Sequence, residues 1–227
     1  MPLDELKRAA AHRAVEFLCS GMVIGLGSGS TSRYATLRIG ERLRSGDLRD
    51  IVAIPTSEDT AQLARALGIP LTTLEEHSRI AVTIDGADEV DPQLNVTKGL
   101  GGCHLREKIV AYATDHEIII VDESKLVPRL GTKSPVPVEV IRFGWRVTEA
   151  ALACTGARTR LRVRDGVPVL TDERNYVIDC AYEGLESPDT LAAQLKAIPG
   201  VVEHGLFLGV VRTVVVASAS GLRILER

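Results

Sequence analysis

Short apolar runs alternate with helical periodicities along the first half of the sequence, and this alternation limits the possible folds more than any other feature. A helix is predicted over Asp4–Leu18, a strand over Met22–Leu26, and a second helical pattern reaches Leu43. Because strands that alternate with helices form parallel sheets, the pattern predicts an α/β fold with a mostly parallel, doubly wound sheet. The later elements predicted in this half are strands at Ile51–Ile54, Leu71–Leu74, Ile80–Asp85 and Glu117–Val121, a helix that is capped by Thr56 or Ser57 and ends at Gly68, and a helix at Leu105–Thr114.

The pattern changes after Gly131. Pro135 and Pro137 predict a linker or an edge strand. A helix over Trp145–Thr155 and a hairpin around Asp165-Gly166 indicate a small α+β domain. We therefore expect one domain at residues 1–131 plus 206–227 and a smaller one at 132–205. The remaining predicted elements are a strand at Tyr176–Ala181, a helix that opens at Ser187, and two late strands, Thr213–Ala217 and Leu222–Leu225, that return to the first sheet.

Composition excludes several functional classes. The 227 residues are 45% apolar with a net charge of −3, an ordinary globular balance. The sequence has no basic patch, so we expect no nucleic-acid partner. Neither a signal peptide nor a membrane-spanning run is predicted, so we expect no membrane partner. The scattered cysteines favour reduced thiols in a cytoplasm over disulfides or a zinc site; they are Cys19, Cys103, Cys154 and Cys180.

A glycine-rich loop, Gly25–Thr31, follows the first predicted strand and precedes a helix. A helix N-terminus presents N–H groups and a partial positive charge, and hydroxyl groups add donors, so the loop is a candidate phosphate site. The dinucleotide fingerprint is incomplete, because Thr31 and Ser32 stand where its third glycine would be, and no P-loop lysine follows. A tight strand-to-helix turn with a capping hydroxyl is the alternative.

Carboxylates gather at the end of the predicted strand that closes on Asp85. Asp88, Glu89 and Asp91 follow it in the same short passage. Close carboxylates shift one another's pKa, so such a place can hold both an acid and a base. The alternatives are a solvated turn and a divalent-metal site, although the spacing is not that of a calcium loop.

A second glycine loop comes next along the chain. Lys98 opens it, Gly99, Gly101 and Gly102 continue it, and Glu107 lies near the start of the next predicted helix. Glycines let backbone N–H groups come close to a ligand. The alternatives are a surface lysine and an ordinary first-turn acid stabilised by the helix dipole.

Two further side chains in this passage could carry chemistry. Cys103 could be a thiol nucleophile, but no His–acid pattern supports that role, so we interpret it as a packing residue. His104 could shuttle protons, and an exposed or structurally paired histidine is the alternative. Phosphate capture beside carboxylates and a lysine, without the motif of a redox cofactor or a metal, suits proton transfer next to a carbonyl group.

Several separate motifs in this sequence occur in the order found in one enzyme family, and they span essentially the whole chain. With them the chain closely resembles the type A ribose-5-phosphate isomerases. The motifs are G-L-G-S-G-S-T at Gly25–Thr31, D-G-A-D-E at Asp85–Glu89, K-G-x-G-G at Lys98–Gly102, R-E-K at Arg106–Lys108, S-K at Ser124–Lys125, P-V-P-V-E-V at Pro135–Val140, and I-P-G-V-V at Ile198–Val202.

The resemblance implies interconversion of ribose 5-phosphate and ribulose 5-phosphate without a cofactor or metal. It also implies a Rossmann-like main domain, a smaller ferredoxin-like α+β domain, and a cytoplasmic homo-oligomer, either a dimer or a tetramer. The general base carries over to Glu107, with Asp85, Asp88 and Lys98 as further catalytic residues. The substrate contacts that it implies are Ser28, Gly29, Ser30, Thr31, Asp85, Gly86, Ala87, Asp88, Lys98, Gly99, Leu100, Gly101 and Lys125.

Two positions depart from the family pattern. Ser28 replaces a usual Thr and keeps the hydroxyl group, whereas Leu100 replaces a common glycine. We expect an ordinary negative φ at Leu100 and a side chain turned away from the sugar, towards the core or a partner subunit. Two rival functions stay open: a sugar-phosphate-sensing repressor domain, for which nothing before Met22 predicts a helix-turn-helix, and a coenzyme A transferase that uses Glu107 as nucleophile.

Overall fold

A computed structural model describes residues 2–227, and the chain divides into two compact units. The first unit comprises residues 2–87, 106–125 and 210–227, and the second comprises 88–105 and 126–209. The helices are α1 (Leu3–Val15), α2 (Ser32–Ser45), α3 (Glu58–Ala66), α4 (His104–Tyr112), α5 (Trp145–Ala153) and α6 (Pro188–Ala197). The strands are β1 (Val23–Leu26), β2 (Val52–Pro55), β3 (Ile80–Gly86), β4 (Glu89–Val90), β5 (Val96–Thr97), β6 (Thr114–Asp122), β7 (Val136–Val140), β8 (Arg158–Leu161), β9 (Val163–Arg164), β10 (Val167–Pro168), β11 (Tyr176–Ala181), β12 (Val201–His204), β13 (Leu206–Phe207), β14 (Val211–Ser218) and β15 (Gly221–Glu226).

The first unit is built on a six-stranded sheet in the order β15-β14-β6-β3-β1-β2. Every neighbouring pair is parallel except β14 and β15, which form an antiparallel hairpin at one edge. The predicted mostly parallel sheet is therefore confirmed, including the return of the two late strands. Leu26 lies opposite Ile84, and Gly86 lies opposite Ile120. The carboxyl ends of β1, β3 and β6 consequently meet at one edge of the sheet.

Helices cover both faces of this sheet. Helix α1 buries Ala10 and Ala14 in a core that also contains Ile24 of β1. Val23, the preceding residue, packs with Val110 of α4 in a separate cluster. Because successive side chains of a strand point to opposite faces, α1 and α4 lie on opposite sides of β1. This is the doubly wound arrangement that the sequence predicts.

The second unit contains a four-stranded antiparallel sheet in the order β12-β7-β11-β8. Helices α5 and α6 bury Leu152, Leu191 and Leu195 in the core shared with this sheet. The element order β7-α5-β8-β11-α6-β12 is the β-α-β-β-α-β order of ferredoxin-like domains. The predicted α+β domain is therefore confirmed, and the predicted hairpin is the β9–β10 pair.

Two predicted elements are wrong. Pro137 lies in β7, an interior strand with buried residues throughout, and not in a linker or an edge strand. Its strand is kept inside the sheet by Val136, Val138 and Val140, which are fully buried. The predicted strand at Leu71–Leu74 is reduced to a single bridge between Leu71 and Ala53, beyond which the segment forms turns.

The division into units also differs from the predicted domain boundaries. Residues 88–105 belong to the second unit, because β4 and β5 form a small sheet with β13. Leu206 and Phe207 of β13 pair with Thr97 and Val96 of β5. These long-range pairs draw the segment that carries Lys98 into the second unit.

Candidate active site

The glycine-rich loop after β1 forms the N-terminal approach to α2. Gly29 has a φ of 103°, a conformation that favours glycine. Apart from its two chain neighbours, no residue of the range 2–227 lies within 4 Å of where its Cβ would be. The N–H of Arg33 donates to the Gly29 carbonyl at 3.0 Å, which starts the helical turn. The loop therefore exposes Gly29 and Ser30 at a helix N-terminus, the arrangement that suits an anionic group.

The Ser28 side chain ties this loop to α3. Its Oγ lies 2.7 Å from the hydroxyl oxygens of Thr56 and Ser57 and 3.1 Å from that of Thr60. Ser57 in turn caps α3 by accepting from the Thr60 N–H at 3.1 Å. The hydroxyl group that the chain keeps at position 28 thus helps to fix the loop's shape.

Asp85, at the end of β3, is 1% exposed and contacts the same loop. Its Oδ1 accepts from the Ser28 N–H at 3.1 Å, the Ser32 hydroxyl at 3.0 Å and the Gly86 N–H at 2.7 Å. A Cβ at Gly27 would lie 2.1 Å from this Oδ1 and 2.5 Å from the Asp85 Cα. The absence of a side chain at Gly27 is therefore what lets β1 and the Asp85 carboxylate approach each other.

Glu107 lies in the first turn of α4 and is 6% exposed. Helix α4 ends just before β6 begins, so its first turn lies towards the opposite, carboxyl edge of the sheet. The neighbouring Arg106 forms an ion pair with Glu58 at 2.8 Å and lowers the pKa of that carboxyl group. Lys125 closes the one-turn 3₁₀ helix that follows β6, at the same sheet edge as Asp85.

In the second unit, the loop after β5 carries Lys98 and is bound to Asp88. The Asp88 N–H donates to the Thr97 carbonyl at 2.7 Å, and its Oδ2 accepts from the Leu100 N–H at 3.0 Å. Gly99 has a φ of 106° and abuts the ring of His104. The structure thus brings Asp88 together with this loop, as it brings Asp85 together with the loop after β1.

Lys98 is fixed through its backbone as well as through its side chain. Its N–H donates to the Gly205 carbonyl at 2.9 Å, and its Nζ lies 5.6 Å from the centroid of the Phe207 ring. A Cβ at Gly205 would lie 2.1 Å from the Lys98 carbonyl oxygen. Lys98 is therefore a buried lysine held by close backbone contact, and the alternative of a surface lysine is wrong.

The other acidic residues of the predicted cluster have structural roles. Glu89 is fully buried and accepts from the backbone N–H groups of Gly131, Lys133 and Ser134 at 2.5–2.7 Å. Asp91 accepts from the N–H groups of Gln93 and Asn95 and so closes a tight turn. Both carboxylates therefore stabilise backbone turns of the second unit.

The structure also tests the expectations for three side chains near Lys98: Leu100, His104 and Cys103. The φ of Leu100 is not positive, so the ordinary backbone expected there is confirmed. Its side chain is 43% exposed and does not lie in the core. His104 is fully buried, which excludes the exposed alternative. Cys103 is half-buried, with its Sγ 3.7 Å from the Gly101 carbonyl.

Lys7 is a candidate site residue that sequence reasoning missed. Its Nζ donates to the Ser30 hydroxyl at 3.1 Å, across more than twenty residues of sequence, and lies 3.9 Å from the Asp4 carboxylate. On the sequence it is one of several charged residues of an N-terminal helix. Only the packing of α1 against α2 brings its ammonium group to the loop after β1.

Three comparisons with known proteins agree on the family. The sequence model described as Ribose 5-phosphate isomerase A (phosphoriboisomerase A) matches residues 52–221. The chain belongs to this family. The family's ribose-5-phosphate isomerase A from Chloroflexus aurantiacus is 54% identical over 218 residues, which are 96% of this chain and 91% of the relative.

Solved structures of isomerases in the family have the same fold along the whole chain. One described as D-ribose-5-phosphate isomerase in complex with phospho-erythronic acid matches with a TM-score of 0.97 and 41% identity, covering 100% of both chains. The ribose 5-phosphate isomerase from Plasmodium falciparum matches with a TM-score of 0.96 and 42% identity, covering 99% of both chains. The α/β fold is therefore that of the family.

Two surveys of residues 2–227 complete the description of the site. Within that range, the His, Cys, Asp and Glu side chains form no group of three or more suited to holding a metal ion. The helices of the same range are too short or too polar to cross a bilayer.

Proposed function

We propose that this chain interconverts ribose 5-phosphate and ribulose 5-phosphate. Membership of the ribose 5-phosphate isomerase A family supports the proposal. The observation that carries it is the placement of a buried carboxylate, Glu107, in a helix turn towards the same sheet edge as the loop after β1. That edge is where open α/β sheets bind their ligands. A base and a phosphate-binding loop are the two things that a sugar-phosphate isomerase needs.

The proposed chemistry is two proton transfers through an enediolate. The Glu107 carboxylate removes the proton from C2 of the open-chain aldose and returns it to C1, while a second proton passes between the two oxygens. The conversion is redox-neutral, because C1 is reduced as C2 is oxidised within one molecule. It therefore needs no outside oxidant or reductant, and we propose no cofactor or metal.

The groups of the second unit would stabilise the enediolate. Lys98 is a cation with a fixed backbone, and the carboxylate of Asp88 is oriented by the Leu100 N–H. A cation and oriented donors favour the negative charge that develops on the sugar oxygens. We propose that Asp85 and Asp88 bind the sugar hydroxyl groups, with Gly86, Ala87, Gly99, Leu100 and Gly101 as the backbone that surrounds the sugar.

The phosphate end would bind the loop after β1. Gly29, Ser30 and Thr31 form the N-terminal approach to α2, and Lys7 adds an ammonium group at the Ser30 hydroxyl. A solved relative was found with phospho-erythronic acid, which carries a phosphate and a carboxylate. We propose that Lys125 also contacts the phosphate, since it lies at the same sheet edge. Ser28 fixes the shape of this loop: its N–H donates to Asp85, and its hydroxyl group contacts the hydroxyl groups of α3 and of the residues before it.

The decisive experiment is an isomerase assay on the unaltered protein and on Glu107→Gln. Ketose should appear from ribose 5-phosphate with the unaltered protein. Gln keeps the shape of Glu but is not a base, so kcat should fall by about 10²–10⁴ while KM changes little. Glu139→Gln is the matched control, because Glu139 is also a buried carboxyl group and lies in the second unit, where it contacts Thr171 and Asn175.

A second measurement separates the base from the rest of the site. Incorporation of solvent deuterium at C2 of the sugar should fall in parallel with turnover in Glu107→Gln. Near-normal exchange in that variant would assign the base to another residue, such as Asp85. An unaltered protein that forms no ketose would refute the proposed function itself.

We also propose a role in the pentose phosphate pathway and a cytoplasmic homo-oligomer, either a dimer or a tetramer. Phe143 is 90% exposed and Val147 is 77% exposed on the second unit. Large apolar side chains exposed together are typical of a protein–protein contact. Light scattering of the purified protein would give its mass in solution, and a monomer would contradict this part of the proposal.

A further inference from the structure

Arg162 binds the backbone of the loop that carries Lys98. It lies between β8 and β9, and its Nη1 donates to the carbonyl oxygens of Gly99 at 2.8 Å and Leu100 at 3.0 Å. Both carbonyl groups belong to a segment more than sixty residues earlier in the sequence. A side chain that reaches so far to bind two consecutive carbonyl groups restricts the path of that loop.

Arg162 is itself held in place on two sides. Its Nε donates to Asp179 Oδ2 at 3.0 Å, and its Nη2 donates to the other oxygen of the same carboxylate. The backbone of Arg162 donates to the Val177 carbonyl and accepts from the Val169 N–H. Asp179 lies in the middle of β11, inside the four-stranded sheet. These hydrogen bonds thus hold the guanidinium group in a fixed position between this sheet and the glycine loop.

The contact passes directly to Asp88 through one peptide group. The Gly99 carbonyl and the Leu100 N–H are the two ends of a single planar peptide unit. Arg162 binds the carbonyl end, and Asp88 Oδ2 binds the N–H end at 3.0 Å. If the plane turns, the donor to Asp88 turns with it. The orientation of Asp88 and the path of the chain after Lys98 therefore depend on where Arg162 holds the plane.

We propose that Arg162, held by Asp179, is a positioning residue for the isomerase reaction, acting through the Gly99–Leu100 peptide group on Asp88 and Lys98; this rests on the proposed function. Arginine suits the role because its planar fork can bind a carboxylate with two nitrogens and the carbonyl groups with a third. A lysine at this position would carry the charge but could not hold both partners in fixed directions. The proposal therefore predicts that geometry matters here and charge alone does not.

The experiment compares Arg162→Ala, Arg162→Lys and Asp179→Asn with the unaltered protein. Misplacing a group of the site by about 1 Å can cost on the order of 100-fold in rate, so kcat should fall about 10- to 100-fold in Arg162→Ala. KM should change little, because the phosphate-binding loop belongs to the other unit. Arg162→Lys should lose nearly as much activity as Arg162→Ala, and Asp179→Asn should lose less.

Arg158→Ala is the matched control, since Arg158 begins β8, the strand that ends just before Arg162, but forms an exposed ion pair with Glu183 at 3.4 Å. It should leave kcat unchanged. Millimolar, non-denaturing guanidinium chloride should restore part of the activity of Arg162→Ala, whereas sodium chloride at the same concentration should not. A purely structural role would alter the thermal midpoint but would not give this rescue.

The outcomes separate this inference from the proposed function. An unaltered protein that forms no ketose from ribose 5-phosphate would refute the function, and the inference with it. An active unaltered protein together with an Arg162→Ala variant of near-normal kcat would overturn the inference alone. So would full activity in Arg162→Lys, or a loss in Arg162→Ala that matches the fraction unfolded by circular dichroism at the assay temperature. If Arg162→Ala does not fold, Asp179→Asn takes its place, and a near-normal kcat in that variant would overturn the inference.

Discussion

Gly27→Ala adds a single methyl group, and the structure predicts a large effect from it. The added Cβ would lie 2.1 Å from Asp85 Oδ1, 2.3 Å from its Cγ and 2.5 Å from its Cα. Rotation of the Asp85 side chain relieves the first two overlaps but not the third, because the Cα belongs to the main chain of β3. The two strands must therefore move apart where Gly27 donates its N–H to the Ile84 carbonyl.

The expected loss of stability has two parts, the strain of the added carbon and the loss of the Gly27–Ile84 backbone hydrogen bond. Forcing an extra carbon into a packed interior costs about 1–3 kcal/mol, and a lost backbone hydrogen bond costs about 1 kcal/mol more. For a chain of this length each kcal/mol lowers the thermal midpoint by roughly 2–4 °C. We therefore expect a midpoint lowered by roughly 4–16 °C. Asp85 would also be displaced, so kcat/KM should fall by about 100-fold or more.

The assay pairs differential scanning calorimetry with isomerase kinetics on folded protein. Gly101→Ala is the stability control, because Gly101 has an ordinary φ and its Cβ would contact none of the described residues beyond its chain neighbours within 4 Å. Its midpoint should be unchanged or slightly raised, since alanine restricts the unfolded chain. A Gly27→Ala protein with the midpoint and kcat/KM of the unaltered one would show that β1 and β3 separate freely, and would refute the close-approach argument.

Three further predictions concern other parts of the molecule. Lys7→Ala should raise KM for ribose 5-phosphate several-fold with little change in kcat, as measured by steady-state kinetics, because its ammonium group lies at the Ser30 hydroxyl, away from the bond changes. Leu100→Gly should lower the free energy of unfolding by about 0.4–1 kcal/mol in urea titrations, because the glycine chain gains freedom when unfolded; a larger loss would mean that the half-exposed side chain packs against a partner subunit. Burial raises the pKa of Glu139, so charging it costs folding free energy as the pH rises through its folded-state pKa. The thermal midpoint of Glu139→Gln should therefore exceed that of the unaltered protein at neutral pH. The two midpoints should match below the ordinary carboxyl pKa, and a difference that does not shrink with acidification would contradict the prediction.

The parallel sheet and the edge that carries the proposed site were predictable because their signals are local. Each strand of the first unit is a short apolar run, and a polar cluster follows it directly in the sequence, as Asp85 follows Ile84. In a parallel sheet every such cluster reaches the same edge, so topology alone brings the loop after β1 to Asp85. The glycine that makes this approach possible, Gly27, is visible in the sequence, but the atom that it makes room for is not.

The residues that sequence reasoning missed act across long separations. Lys7 reaches Ser30 through helix packing, and Arg162 reaches Gly99 through the second sheet. On the sequence both are single basic residues among many, without spacing or periodicity to set them apart. The structural role of Glu89 could not be predicted for the same reason, because its partners, the N–H groups of Gly131, Lys133 and Ser134, come more than forty residues later. The local sequence pattern predicts the helix, strand or loop in which a residue lies, whereas its hydrogen-bond partners depend on the fold.

Pro137 shows how a departure from a local rule can serve the site. Proline is rare in an interior strand because it has no N–H for the ladder. Opposite residues of an antiparallel pair can exchange two hydrogen bonds, and here Gly205 donates to the Pro137 carbonyl at 2.8 Å. Pro137 cannot donate in return, and the Gly205 carbonyl accepts the N–H of Lys98 instead. The missing donor in β7 thus leaves an acceptor for the backbone of Lys98, the proposed catalytic lysine. Pro137, which suggested an edge strand, therefore helps to support the proposed site.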